Sequence, residues 1–424
     1  MRGPRRALAV AAPPAALAVL LGLGWHARAS RPEVEPPAPP VTPVALDADA
    51  LRAEALEHYA AGRFAPACER FSRAAEGDAA SGSWRQDVAR CFEGWGWQVL
   101  RGGRAGEATL LFRQGLAAVP DDPALLRALG IASIHEGRPE NALTALEGAA
   151  GGDDDPDVRL LLARLYDQRD DPESAVHHLK AILAVQPDHG AARRLLDKVE
   201  RERAVEAGFV RHATEHFVVR HRGDTPDTTV RAVVRSLEAA RERVGHLLGY
   251  RPVERLTVVL YEDRQFRQVA RVHGWVTGLF DGKIRLPVAH GLPARPALDR
   301  LVAHEYGHAV IHALSRGRAP RWLHEGLAQT LEGALGDPSL RVPGRLTLGG
   351  LEALVSDADP VRARAGYDIA LWVTHDLEQR AGLQGLRTLL ERLGSGDSLT
   401  VAMTAVYGLR LVELEAQWAA LLGA

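Results

Sequence analysis

From Pro296 to Leu314 the apolar residues Leu298, Leu301, Val302, Ala309, Val310 and Leu314 recur at helical spacing. That recurrence predicts a helix, with Pro at its first turn and Gly317 as its stop signal. Upstream the pattern changes. His216-Phe217-Val218-Val219-Arg220-His221 and Leu256-Thr257-Val258-Val259-Leu260-Tyr261 read as short strands, the second rich in β-branched residues. A charged amphipathic helix is expected between them, from Asp227 to Leu248. Trp275 to Leu286 carries Asp281-Gly282 between apolar runs, a hairpin signal that places strands just before the long helix. Residues 209–424 therefore read as one α+β unit.

The preceding segment, residues 51–203, repeats itself. Ala61-Gly62-Arg63, Gly103-Arg104, Gly137-Arg138-Pro139 and Asp170-Asp171-Pro172 each precede an aligned alanine: Ala67, Ala108, Ala142 and Ala175, at spacings of 41, 34 and 33. A period near 34, with Gly at the inter-helix turn and Ala opening the second helix, resembles tetratricopeptide repeats. The resemblance implies an all-α solenoid whose helix pairs stack because none buries its apolar face alone. It also implies either a docking face for a protein partner or a spacer. The long first spacing predicts an insertion around Gly77 to Ser83 or a degenerate first repeat, and Ala191 to Arg203 reads as a charged capping helix.

Charge and composition narrow the class. A 424-residue chain with 46% hydrophobic and 25% charged residues is ordinary globular material, and a formal net charge of -2 gives no footprint for nucleic acid. At the N-terminus, Arg2, Arg5 and Arg6 precede an uncharged, mostly apolar run from Ala7 to Gly24, and Ala27-Arg28-Ala29 supplies a cleavage-like site. Residues 1–29 are thus expected to be a signal peptide or a membrane anchor. The absence of Cys after the run excludes a lipoprotein anchor, and Pro13 and Pro14 weaken a straight spanning helix. Residues 30–50 form a Pro-rich spacer. Export to a periplasmic or cell-envelope location follows, with a membrane tether where the leader is retained. Cys68 and Cys91 allow one disulfide or two buried thiols.

The candidate chemistry sits in the long helix, at His304-Glu305-Tyr306-Gly307-His308. Residues four apart share a helix face with Cβ atoms about 5–6 Å apart. Two imidazoles so placed suit Zn²⁺, and Glu305 falls beside the open coordination position, where it can take a proton from water. A hydrolytic site wants a third protein ligand. Glu325 follows His308 by 17 residues, within Trp322-Leu323-His324-Glu325-Gly326-Leu327-Ala328 on a second helix beginning after Pro320.

H-E-x-x-H followed by W-L-x-E-G-L-A resembles the gluzincins, the thermolysin-like and aminopeptidase-like zinc peptidases. The stretches around Tyr367, from Gly382 to Leu390, and around Leu414 to Trp418 resemble the C-terminal helices of the peptidase MA-like group, so the resemblance spans nearly all of 209–424 and implies a helical C-terminal subdomain. It implies a zincin-like fold with Zn²⁺ on His304, His308 and Glu325, Glu305 as general base, and an oxyanion donor beyond the third ligand, for which Tyr367 is the candidate. A packed core tyrosine is the alternative for Tyr367. The metzincin scheme fails because Ile311 and Leu314 stand where it needs Gly and His. His312 is expected to pack or support, and His324 to turn away from the metal. Where gluzincins carry a carboxylate that orients a zinc histidine, four residues past the third ligand, this chain has Gln329. The strand before the zinc helix would seat an extended peptide or serve as a plain ribbon. The implied activity is zinc-dependent hydrolysis of a peptide or protein substrate. The competing expectation is a non-catalytic envelope scaffold whose zinc domain is degenerate or structural.

Overall fold

The computed structural model describes residues 47–77, 82–152, 155–270, 278–288, 291–337, 340–342 and 346–423. Residues 46–424 form one compact unit. The expected signal peptide or anchor and most of the Pro-rich spacer lie outside the described residues. No helix among the described residues is long and apolar enough to cross a membrane.

The repeats are four antiparallel helix pairs and a cap. The pairs are α1 (Ala48–Ala60) with α2 (Phe64–Gly77), α3 (Gly82–Arg101) with α4 (Ala105–Ala118), α5 (Pro123–His135) with α6 (Pro139–Gly152), and α7 (Pro156–Gln168) with α8 (Pro172–Val185). The cap is α9 (Gly190–Val205). Helix starts follow local chemistry. Asp122, Asp155 and Asp171 each precede a Pro at the first turn, and each carboxylate accepts a backbone amide two or three residues on. The aligned Ala67, Ala108, Ala142 and Ala175 are all fully buried, so small residues occupy the helix crossings. The long first spacing reflects α3, which runs 20 residues where α5 and α7 run 13. Cys68 on α2 and Cys91 on α3 form a disulfide, the first of the two alternatives that the sequence leaves open.

The C-terminal half builds a five-stranded sheet in the order β1-β2-β3-β5-β4. Its strands are β1 (Phe209–Ala213), β2 (Phe217–Arg222), β3 (Leu256–Leu260), β4 (Leu279–Phe280) and β5 (Ile284–Leu286). β2, β3 and β5 run parallel, and β1 and β4 are antiparallel edges. α10 (Asp227–Leu248) links β2 to β3, and α11 (Asp263–Ala270) follows β3. Strand alternation splits the sheet between two cores. Val258 and Leu260 pack with Val233 and Leu237 of α10 and with Val302 and Val310 of α12 (Arg295–Ser315). Val259 and Tyr261 face the other way, toward Phe266 of α11, Val205 of α9 and Phe209. The sheet is therefore sandwiched between the long helix and the cap of the repeats. Five further helices follow α12, of which α13 and α15 pack directly on it: α13 (Arg321–Glu332), α14 (Leu348–Val355), α15 (Pro360–Ser395), α16 (Leu399–Tyr407) and α17 (Leu411–Leu421). α15 is two helical halves joined at Gly382, whose φ of 66° breaks the run.

Crossing distances in the repeats set a stability contrast. A Cβ on Gly130 of α5 would stand 2.5 Å from Cγ of the fully buried Leu146, whereas one on Gly106 of α4 would meet nothing. Gly130→Ala should cost about 1–3 kcal/mol by overpacking. Gly106→Ala should stabilise by up to about 1 kcal/mol through helix propensity. Urea midpoints of the two variants check the opposite signs.

Candidate metal centre

α12 begins without a side-chain cap but with Pro at its first turn, and ends where Arg316 takes up a left-handed conformation, one residue before Gly317. It is buried on most sides, with Leu298, Val302, Tyr306, Val310 and Leu314 in the core. His304 and His308 share the one face left toward a cleft. After Pro320 the chain re-enters as α13, which brings Glu325 to the same face. α13 has no N-terminal cap of its own. Glu352, from α14, supplies one: its two carboxylate oxygens accept the backbone amides of Arg321 and Trp322, each at 3.0 Å. That favourable contact with the helix N-terminus fixes the helix that carries Glu325.

Three donors converge. His304 Nε2 lies 3.2 Å from His308 Nε2, and Glu325 Oε2 lies 3.7 Å and 3.6 Å from the two ring nitrogens. The three form a group that could hold one metal ion, their ligand atoms all within 4.8 Å of one another. Burial drives His308 down to about 3, leaving a neutral ring with a lone pair to offer. At His304 burial is overcome by hydrogen bonds to Glu325 and Glu332, which hold the ring up to about 10. Burial also raises Glu325, but its contacts with His304 and His308 prevail and hold the carboxylate below its usual range. Two imidazoles and a carboxylate suit zinc.

Glu305 points elsewhere on the same helix. Burial pushes its carboxyl up to about 7, the charge on His304 working the other way. Its Oε2 is buried and finds no hydrogen-bond partner among the described residues. The backbone at Gly278, just before β4, closes on its other oxygen so tightly that any Cβ at 278 would collide with Glu305 Oε1. A buried carboxylate oxygen without a partner is costly, and this one borders the cleft. Such an orphaned acceptor fits a site built to hold a further polar group beside the three donors.

The cleft has a volume of about 1020 Å³ and is lined by β4, α12, α13 and α15, with Gln168 of the repeats contributing to its wall. Tyr367 of α15 lines it too, within hydrogen-bonding reach of Glu325 and Arg321, and burial together with Glu325 pushes its hydroxyl up to about 12. It is thus on the cleft wall beside the donors. His312 packs its ring edge-to-face on Phe280 of β4, centroids 5.7 Å apart, outside the donor group. His324 is also outside that group; it leans on the His308 ring, and burial lowers it to about 4.

Gln329 does not sit where the resemblance implied. Its amide donates to the backbone carbonyls of Glu325 at 3.2 Å and Tyr367 at 3.0 Å, stitching α13 to α15. The carboxylate that reaches His304 is Glu332, whose Oε2 lies 3.4 Å from Nδ1. Two turns past Glu325 is the same helix face, so helical spacing held the signal and the expected four-residue offset hid it. The crossing of α13 on α15 is closer still. A Cβ on Gly326 would collide with the Ala370 carbonyl oxygen and Thr374 Oγ1, while one on Gly307 would make an ordinary 3.4 Å contact with Leu331.

Residues 133–199 match the family model described as tetratricopeptide repeat. Among solved structures, MamA AMB-1 is 22% identical over 37% of this chain and 82% of its own length, with a TM-score of 0.29. A thermophilic TPR protein of Thermus thermophilus is 17% identical over 36% of this chain and 98% of its own, with a TM-score of 0.22. No curated protein matches the chain. The family match supports tetratricopeptide repeats over 133–199, and the helix pairs before them continue the same pattern; such repeats commonly bind protein partners.

The site geometry sets two expectations. Gly326→Ala should destabilise by about 1–3 kcal/mol or more, because the atoms it meets include backbone, whereas Gly307→Ala should be tolerated; thermal melts of both decide. Glu332→Gln should lower zinc affinity by about 10–100-fold, the usual cost of losing a supporting carboxylate, with the fold intact by circular dichroism. A competition titration against a chromogenic chelator measures it.

Proposed function

We propose that residues 209–424 are a zincin-like, gluzincin-type peptidase that hydrolyses peptide bonds with Zn²⁺ on His304, His308 and Glu325. The observation that carries it is the meeting of those three donors beside a buried carboxylate oxygen of Glu305 that has no hydrogen-bond partner among the described residues. When bound, the metal would lower the pKa of a water molecule and polarise the scissile carbonyl. Glu305, its carboxyl raised toward neutrality by burial, accepts the proton of the attacking water and returns it to the leaving amine. Tyr367 donates a hydrogen bond to the oxygen that becomes negative, from the cleft wall. Glu332 holds the His304 ring so that Nε2 faces the other donors. The outer edge of β4 offers backbone groups to an extended peptide.

A second reading has support of its own. The tetratricopeptide match favours a partner-binding scaffold, with the metal group structural or idle. Glu305 weighs against it, since a structural site gains nothing from a buried carboxylate oxygen left without a partner, and structural zinc is usually closed by four protein ligands. In either case the apolar run from Ala7 to Gly24 supports export, with the repeats binding a partner in the cell envelope.

Glu305→Gln distinguishes the two. The variant should bind one equivalent of zinc like the parent, yet lose about 10²–10⁴-fold in turnover of a casein or peptide-library substrate, the usual worth of a general base. A chelator should abolish parental turnover and added zinc restore it. Parental turnover that survives in Glu305→Gln would remove the proposed mechanism; bound zinc without turnover on any substrate would favour the scaffold.

A further inference from the structure

In three of the four repeats the turn between the paired helices is closed by a glycine in the left-handed region: Gly62 at φ 70°, Gly103 at φ 79° and Gly137 at φ 69°. The fourth repeat has Asp170 there, at φ 64°. A side chain in this conformation is strained, and glycine is free of that strain. The aspartate is used outside its own repeat. Its carboxylate, almost wholly buried, accepts from Lys283 Nζ at 2.8 Å and from Arg220 of β2.

Lys283 lies in the β4–β5 hairpin, and the repeats hold that hairpin at several points. Asp281 faces Lys198 of α9 at 3.4 Å, and the fully buried Arg285 of β5 faces Glu202 of α9 at 2.9 Å. Gln168, the last residue of α7, lies close over Gly282 at the hairpin's tip. The other side of the hairpin is the cleft. Gly278 abuts Glu305, Phe280 packs on His312, and Gln168 itself reaches the cleft wall. Buried charges are tolerated only when paired, so each of these pairs ties the position of the hairpin to the position of the fourth repeat.

We infer that the fourth repeat is part of the hydrolytic site, and that Asp170 is a positioning residue which seats the β4–β5 hairpin against the cleft for an extended peptide substrate. The inference rests on the peptidase proposed above. Asp170 occupies a position that favours glycine because its carboxylate couples the solenoid to the cleft wall. The repeats then act as one wall of the enzyme rather than as a loosely tethered arm.

The test is Asp170→Gly in the full chain. Glycine satisfies the turn as it does in the other three repeats, so the repeat should fold, while the coupling charge is lost. Hydrogen exchange at residues 279–286 should accelerate about tenfold, with α7 and α8 unchanged, as expected for a local opening. KM for an extended peptide should rise about tenfold with kcat within about twofold, since positioning rather than bond chemistry is lost. Asp170→Asn, which tolerates the left-handed turn and keeps an acceptor oxygen, should recover part of both effects. Unchanged exchange in Asp170→Gly overturns the inference. So does faster exchange with an unchanged KM, provided Glu305→Gln is inactive in the same assay; the peptidase then stands without the coupling. Absence of turnover by the parent would sink both, and the exchange data would describe only a structural joint.

Discussion

Everything in the C-terminal half accommodates one demand: a carboxylate on α13 has to leave water and face two imidazoles on α12. Moving an unpaired charge into the interior costs several kcal/mol, so the helix bearing Glu325 must be held where its partners are. Four contacts do this. Glu352 caps the uncapped start of α13, Gln329 ties its middle to the backbone of α15, Glu332 closes on His304, and Gly326 lets α13 lie against Ala370 with no side chain between. None of the four is a donor in the group, yet each sets where Glu325 can be. The core of α12, buried on nearly every side, supplies the rigid reference against which they work.

The same physics recurs where the repeats meet the sheet. Repeats two to four approach the C-terminal half through their inter-helix turns. Gly103 lies against Gly396, Gly137 lies against Arg316, whose Nη1 donates to the His135 carbonyl at 2.8 Å, and Asp170 reaches Arg220 and Lys283. Two of these contacts are close backbone or side-chain approaches to glycine, and the third is ionic. An apolar joint would hold the halves together as well, or better, since buried ion pairs seldom outperform apolar packing in stability. Paired charges, however, require each partner at one place, so Arg285 between Glu202, Glu206 and Asp281 fixes the register of the hairpin as well as its attachment.

Much of this was legible in the sequence because it is local. The two histidines four apart, the second helix after Pro320, the amphipathic α10 and the repeat period are all statements about spacing along one element, and spacing survives without a structure. The boundaries of α10, Asp227 and Leu248, fall where the charge pattern placed them. What escaped depended on distance through space. Glu332 was hidden because Gln329 occupied the offset that the resemblance made interesting. β1 gave no strand signal because four of its five residues are exposed and no alternation marks a buried face. Asp170 was visible as the one non-glycine in its aligned column, but its meaning needed Lys283, more than a hundred residues away. The leader, most of the spacer and Trp275 fall outside the described residues.

The two glutamates of the site differ most in what surrounds them. Both are buried on neighbouring helices, yet Glu325 is held below the usual carboxylate range and Glu305 is pushed up to about 7. Glu325 has imidazoles to stabilise its charge, while Glu305 has chiefly burial, an oxygen without a hydrogen-bond partner among the described residues and the backbone of Gly278 against it. When two like groups are driven apart in this way, the permanently charged one suits binding a cation and the one near neutrality suits moving a proton. A scaffold would need only the first. The second costs stability wherever it is not used, since an unmet buried acceptor is a standing penalty. Its presence beside a cleft, behind a hairpin that the repeats hold in place, is what favours the proposed peptidase over the scaffold.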